Sequence, residues 1–487
     1  MAGARRVEVA LEDGGPDGPV PPAPGRPTAH RRRWWWLAVP VVAVLALVVG
    51  QAVTDYRERV ALAALGDVRG VLVPLDDEVE VAWEVAEGTR LTDAARAGSV
   101  LVTSRATADH AVVLEGRDVA TGARLWAHDV VGPRARWTPE ARPGPVPCAA
   151  RPDHRGQVVC LVTDGGVDVL DGAWTTIPPT TARLLVLDAD DGTVQVERET
   201  PATAQWLTPS GDDVLLVGTV DGTTHVRSQS LLDGTERWHV TVGAGADDRP
   251  FTPDAATSAL LDARTLAVDH GTAVTLVSTD GEVLRTVGTQ TETGLTGQGT
   301  PTTVELSTAL AAAVIGAESS SAVVSATAEV PLDGSPLPVV VDDGSVPGLV
   351  LTRTPQLQAW DAGDGTPRWQ AMVLDAQNAT ILQGRVHVWT SARLVTYDGA
   401  TGAELWRWAG PTGVGTPLTD GRHLYVLGSR GGRHSGPYDL VALHVADGTE
   451  AWRTPLPART WLSTLDGLLL MQTVDEATLV ETYRVLR

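Results

Sequence analysis

The side chains that could do chemistry are few and scattered. The 11 His residues include no His-Glu-x-x-His run and no pair at metal-ligand spacing, so no metal site and no catalytic residue is assigned. Asp190-Asp191 and Asp342-Asp343 could offer oxygens to a Ca²⁺ ion, but each doublet precedes a Gly at a turn, where Asp bonds its own backbone. The loop Gly428 to Gly436 carries Arg430 and Arg433, which could receive an anion; it lacks the Lys and the strand-to-helix setting of a phosphate loop and reads as a long hairpin loop. Asn378-Ala-Thr380 matches a glycosylation acceptor by pattern alone. The 2 cysteines, Cys148 and Cys160, stand 12 residues apart. In an oxidising compartment they could clip a hairpin or loop; the alternative is two unpaired thiols on adjacent strands.

Behind these groups stands an unusual composition. The chain has 487 residues, 43% hydrophobic but only 5% aromatic, with 16 Trp against 5 Tyr and 1 Phe. All 38 basic residues are Arg, which reads as a GC-rich bacterial genome of actinobacterial type. The net charge of -22 opposes approach to a phosphate backbone and excludes a general nucleic-acid binder. Gly 50 and Pro 32 supply many turns, and many short strands are the first expectation.

Residues 1–33 lack an apolar period and are rich in Pro and Gly, so a disordered cytoplasmic tail is expected. Arg31 to Arg33, then Trp34 to Trp36, then an uncharged apolar run give a spanning segment over 34–53, since about 20 helical residues cross the roughly 30 Å hydrocarbon core. The Arg cluster on its N-terminal side predicts a single-pass anchor in the cell membrane, N-terminus inside and the rest extracytoplasmic. Cleavage after Gly50-Gln-Ala52 is the rival reading. Residues 54–74 read as a short juxtamembrane stalk.

The rest is organised by a repeat: an alternating strand, a turn ending in Thr-Gly or Asp-Gly, and Trp four residues after that Gly. Gly122 with Trp126, Gly234 with Trp238, Gly365 with Trp369, Gly402 with Trp406 and Gly448 with Trp452 form five full copies. Degenerate copies put Val196, Arg285 and Pro338 in the Trp place, and Trp83 reads as an outer strand that has lost the rest of its blade. Most intervals lie near the 40–50 residues of a four-stranded propeller blade. The longest, from Trp126 to Val196, carries an insertion placed within Val131 to Thr180. One indole per copy would fill the wedge between blades, and the C-terminal strands, which lack a Gly and Trp of their own, would close the ring with Trp83.

The Asp, Thr-Gly and Trp run resembles the tryptophan-docking repeat of the PQQ-type β-propellers, over about residues 75–487. The resemblance implies an all-β fold, an eight-bladed propeller with seven to nine blades allowed. In the quinoprotein dehydrogenases of that group the cofactor is held by a vicinal disulfide, a Trp platform and a Ca²⁺ bound by Glu, Asn and Asp, with an Asp as base. Here the cysteines are not vicinal and Asn378 is the sole Asn, so no cofactor-binding residue is carried over. Trp83, Trp126, Trp238, Trp369, Trp406 and Trp452 are read as structural. The expected function is a non-catalytic scaffold at the cell envelope, without cofactor, binding a protein or envelope ligand. A membrane-tethered quinoprotein-type oxidoreductase with a diverged PQQ site is the alternative, and Trp137, Trp174, Trp206 and Trp461 are where a ligand surface would draw its aromatics.

Overall fold

In the computed structural model the described residues are 65–66, 68–75, 79–170, 173–220, 223–244, 258–269, 273–288, 303–316, 319–410, 417–429, 437–474 and 481–487. The expected tail, the spanning segment 34–53 and the loop arginines Arg430 and Arg433 lie outside them. No helix among the described residues is long and apolar enough to cross a membrane. The chain divides into two compact units, 1–61 and 62–487, and every described strand belongs to the second.

The strands of this second unit form nine successive sheets of four or five strands plus one sheet of three. Each large sheet is an antiparallel meander, and we number these blades by their outer strands. Blade 1 ends at Arg124–Val131, blade 2 at Val194–Thr200, blade 3 at Glu236–Ala244 and blade 4 at Val283–Gly288. Blade 5 ends at Glu329–Asp333, blade 6 at Pro367–Ala371, blade 7 at Glu404–Trp408 and blade 8 at Glu450–Ala458. Blade 9 takes its outer strand, Val81–Glu84, from the start of the domain and its other three from the end, with Trp83 opposite Val485 and Glu84 opposite Arg484.

Alternation explains the packing. The second strand of blade 1, Val100–Ala106, is buried over its first five residues because both of its faces meet another blade, whereas outer strands such as Val194–Thr200 keep half their side chains in water. Apolar clusters join each blade to the next. Val102 and Leu114 of blade 1 meet Val158 and Leu187 of blade 2, and Leu349 and Leu357 of blade 6 meet Ile381 and Val386 of blade 7. Trp83 and Leu470 of blade 9 return to Leu91 and Leu101 of blade 1. The unit is therefore a closed β-propeller.

Among the described residues the four- and five-stranded sheets number nine, beside the eight blades expected and within the seven-to-nine range. The weakest copy misleads because its Asp333-Gly334 ends an outer strand instead of preceding one. Blade 5 is complete, and Val330, not Pro338, covers the next blade's turn: a Cβ on Gly365 would stand 2.9 Å from Val330 Cγ1. The stalk expected over 54–74 also meets the propeller early, for Leu65, Val71 and Leu72 are buried against blades 7 and 8.

Two places depart from the meander. The chain between blades 5 and 6 first pairs in blade 6, at Ser335–Pro336, and then peels away as Val339–Asp342 to run parallel with Ala376–Leu382, the inner strand of blade 7. The gap it leaves is a cavity of about 490 Å³ bordered by Glu305, Asp342 and Arg69. The second departure is the insertion. Arg142–Pro143, from the connection between blades 1 and 2, pairs with Gly166–Leu170, which pairs with Ala173–Ile177. That hairpin is the connection between the second and third strands of blade 2. Strand alternation puts both connections on one face of the ring, opposite the Gly-bearing turns.

Candidate functional site

The six repeat Trps take up the docking place, with one exception in detail. The Nε1–H groups of Trp83, Trp126, Trp238 and Trp369 donate to the carbonyls of Val119, Ala189, Thr279 and Gly399 at 2.7–2.9 Å. Trp406 donates to Val445 at 3.3 Å. In each case the acceptor lies in the next blade's turn, and that turn's Gly lies flat against the ring. A Cβ on Gly402, at φ +70°, would stand 2.6 Å from Trp369 Cδ2, so the Gly is required both by its left-handed backbone and by the indole. The fixed offset thus joins a Gly and a Trp that each pack against a different neighbouring blade. Trp452 leaves its Nε1 without a partner among the described residues. The blade it faces has residues 80 and 487, which are not joined in sequence, where the others have a turn, with Glu80 N donating to Arg487 O. At the degenerate copies, Arg198 rather than Val196 lies over Gly234, 3.2 Å from where its Cβ would be, and Arg285 pairs with Glu329 of blade 5 at 3.9 Å.

Cys148 and Cys160 face each other on the inner and second strands of blade 2 and are joined in a disulfide within the core shared with blade 1. A bridge closing a loop of this size stabilises by about 3 kcal/mol, chiefly by restricting the unfolded chain. Reduction is therefore expected to lower the denaturant midpoint of the full chain, and Cys148→Ser with Cys160→Ser should unfold at the reduced protein's midpoint whether or not dithiothreitol is present.

The acidic doublets serve turns: Asp191 Oδ1 accepts from Thr193 N at 2.8 Å, and Asp343 accepts from Ser345 N and Gln383 N. Asn378 lies on the inner strand of blade 7. Among the described residues no group of three or more His, Cys, Asp or Glu could hold a metal. The disulfide is a cross-strand bridge inside the core, between cysteines 12 residues apart.

Of the aromatics outside the repeat, Trp206 and Trp461 lie on different blades. Trp206 packs partly buried between blades 3 and 4, and Trp461 stands exposed on blade 9. Trp174 lies on the three-stranded layer. Trp137 packs beneath that layer, 2.5 Å from where a Cβ on Gly166 would be, with the Arg134 guanidinium 4.1 Å over its ring. Thr138 Oγ1 donates to Asp168 at 2.6 Å, and Gly144 N donates to Gly165 O, tying the two connections into one roof.

Beneath the roof is a cavity of about 430 Å³ walled by blades 1 and 2 and the layer, with Tyr483 of blade 9 and Gln205 completing the lining. Arg90, at the start of blade 1's inner strand, lines it and donates from Nη2 to Pro143 O at 2.6 Å, fastening the roof to blade 1. Burial lowers the Arg90 pKa and the nearby Arg142 lowers it further, while Asp93 opposes both. Asp93 is buried, its Oδ2 has no partner among the described residues, and burial raises its pKa. The sequence marks the insertion by its interval but gives no signal for Arg90, which lies outside it.

Two titrating groups, one buried and one partly buried, act on stability in opposite directions. His387 in blade 7 is fully buried, its Nδ1 2.7 Å from Thr396 Oγ1, and burial pushes its pKa down to about 3. The unfolded chain therefore binds the extra proton. His387's contribution is intact above pH 6.5 and lost as pH falls toward 3. Glu305 beside the larger cavity is raised by burial to about 7, so its contribution is present below pH 4.5 and lost as pH rises through 7. The wild-type slope between these limits is a difference of the two. His387→Gln should make the protein gain stability from pH 7 to pH 5 relative to wild type, at up to about 1.4 kcal/mol per pH unit, as read from urea midpoints.

Residues 310–463 and 390–482 match the family model described as outer membrane protein assembly factor BamB, which together is less than half of the chain. No curated protein matches it. Among solved structures, BamB from Moraxella catarrhalis is similar at 15% identity and TM-score 0.44, covering 84% of this chain and 100% of its own. A eukaryotic initiation factor is similar at 11% identity and TM-score 0.41, covering 76% of this chain and 89% of its own. The dihydro-heme d1 dehydrogenase NirN is similar at 13% identity and TM-score 0.34, covering 62% and 70%. Ring closure and the docked indoles make the described part of the second unit a β-propeller, and its residues 310–482 are similar to the repeats of that family model.

Proposed function

We propose that the protein is a non-catalytic binding scaffold of the cell envelope, anchored through residues 34–53 with its propeller outside the cytoplasm. The observation that carries the binding role is the extra layer. Two connections on one face of the ring are lengthened into a sheet that belongs to no blade and that roofs a cavity. A connection needs only a few residues to join strands, and loops that build structure of their own on a rigid scaffold are where binding concentrates. The net charge of -22 suits a partner other than nucleic acid or an anionic lipid surface. The disulfide suits an oxidising compartment.

The test places a photo-crosslinking residue in the full chain in cells, either at Thr176, exposed on the layer, or at Thr401, exposed in a Gly-bearing turn on the other face. A discrete adduct at Thr176 and none at Thr401 is expected. Equal labelling at both positions, or none at either, would overturn the assignment of this face.

A further inference from the structure

The cavity under the roof has a composition at odds with the chain around it. A protein of net charge -22 lines this one space with Arg90 and Arg142 and with no Asp or Glu. Arg142 stands close enough to Arg90 for its charge to lower the Arg90 pKa further. Asp93 offsets Arg90 from behind, whereas Arg142 is exposed and makes no ion pair among the described residues. The rest of the wall is largely apolar. Leu161, Val167 and Ile177 present hydrocarbon, and the prolines Pro143 and Pro179 have no N–H to offer. A space of about 430 Å³ with a small cationic pole and apolar sides has the size and polarity of a small-molecule site. A guanidinium fork matches a carboxylate in geometry as well as charge.

We propose that this cavity binds a small amphiphilic carboxylic acid, its carboxylate between Arg90 and Arg142 and its apolar body along Leu161, Val167 and Ile177. The proposal rests on the reading of this face as a binding surface and names the ligand class. A doubly charged inorganic anion would leave the apolar walls uncovered, and a neutral or cationic amphiphile would leave Arg142 without a counter-charge.

Calorimetry on the full chain tests this with 3-phenylpropanoate as the probe, against 3-phenylpropanol, 3-phenylpropylammonium and inorganic phosphate. One saturable site for the carboxylate is expected, with each of the other three weaker by about tenfold or more. Arg142→Gln, at an exposed position, should weaken the carboxylate about tenfold and leave the alcohol unchanged. Ile177→Trp should remove binding of both by filling the cavity. Arg90→Gln also loosens the roof, so Arg142→Gln with an unchanged unfolding midpoint is the deciding variant. Lack of saturable carboxylate binding, equal affinity for the alcohol or phosphate, or binding indifferent to Arg142→Gln or to Ile177→Trp would overturn the proposal. If crosslinking from Thr176 persists in that case, the ligand class alone has failed; loss of both sinks the binding face as well.

Discussion

Trp369→Ala is expected to destabilise the propeller by about 3–5 kcal/mol, the range for emptying a buried indole site. The ring is 9% exposed, its Nε1–H bonds Gly399 O at 2.9 Å, and its face covers Gly402. Truncation therefore opens a void between blades 6 and 7 and strips the turn carbonyl of its donor. Gly402→Ala reaches the same contact from the other side. The new methyl would meet Trp369 at 2.6 Å on a backbone of φ +70°, so a cost of about 1–3 kcal/mol from strain is expected, with displacement of the indole added. The double variant should lose less than the sum, because the methyl no longer has an indole to strike, and the coupling is expected to reach about 1 kcal/mol or more. Urea midpoints of the four proteins give the cycle. Strict additivity would mean that Gly and indole stabilise independently, contrary to the docked geometry.

Glu115→Ala is the second large effect. Glu115, on the third strand of blade 1, has no exposed surface; its carboxylate accepts from Arg105 Nε at 2.8 Å and Arg117 Nη2 at 2.6 Å, with Arg124 at 3.7 Å. Burial by itself would raise its pKa, but the hydrogen bonds from Arg105 and Arg117 outweigh burial and hold it below the ordinary value. Removing the anion leaves converging guanidiniums without a counter-charge, which costs about 3–5 kcal/mol for a buried pair and falls to the lower end here because the arginines are partly solvated. The sign with pH follows: a depressed carboxylate pKa gives stability that is present above pH 4.5 and lost as pH falls below it. Wild type should lose this part in acid, and Glu115→Ala should already lack it, so the two midpoints approach one another as pH falls from 5 to 3.

Much of the architecture was legible because the docking pair is local in sequence. A Gly needed for a left-handed turn and a Trp four residues on recur in five blades where the third strand hands over to the outer one, so Trp126, Trp238, Trp369 and Trp406 announce blades by themselves. Blade 5 was not legible. Its strands Thr303–Ser307, Ala312–Gly316 and Ser320–Val324 carry small residues, and Val330 does the covering that an indole does elsewhere. The insertion could be found from its interval, yet its cavity could not. Arg90 and Pro143 meet across 53 residues, and no period or spacing records which distant strand end a lengthened connection will fold onto.

Blade 9 also constrains the order of events by which the molecule is made. Glu84 and Arg484, joined at 3.0 Å, are 400 residues apart in the chain. While synthesis proceeds, the strand Val81–Glu84 has no partner until its neighbour Glu481–Leu486, the last of the described strands in chain order, has been made. Early blades can acquire their apolar interfaces one after another, each new sheet covering the previous one, but the growing arc keeps an unpaired strand at its start until Glu481–Leu486 arrives. The closing step brings together the most distant contacts in the domain and is the one that local propensity helps least, so ring closure is the natural slow phase of folding. Until then the exposed strand is the segment most open to pairing with another unfinished copy.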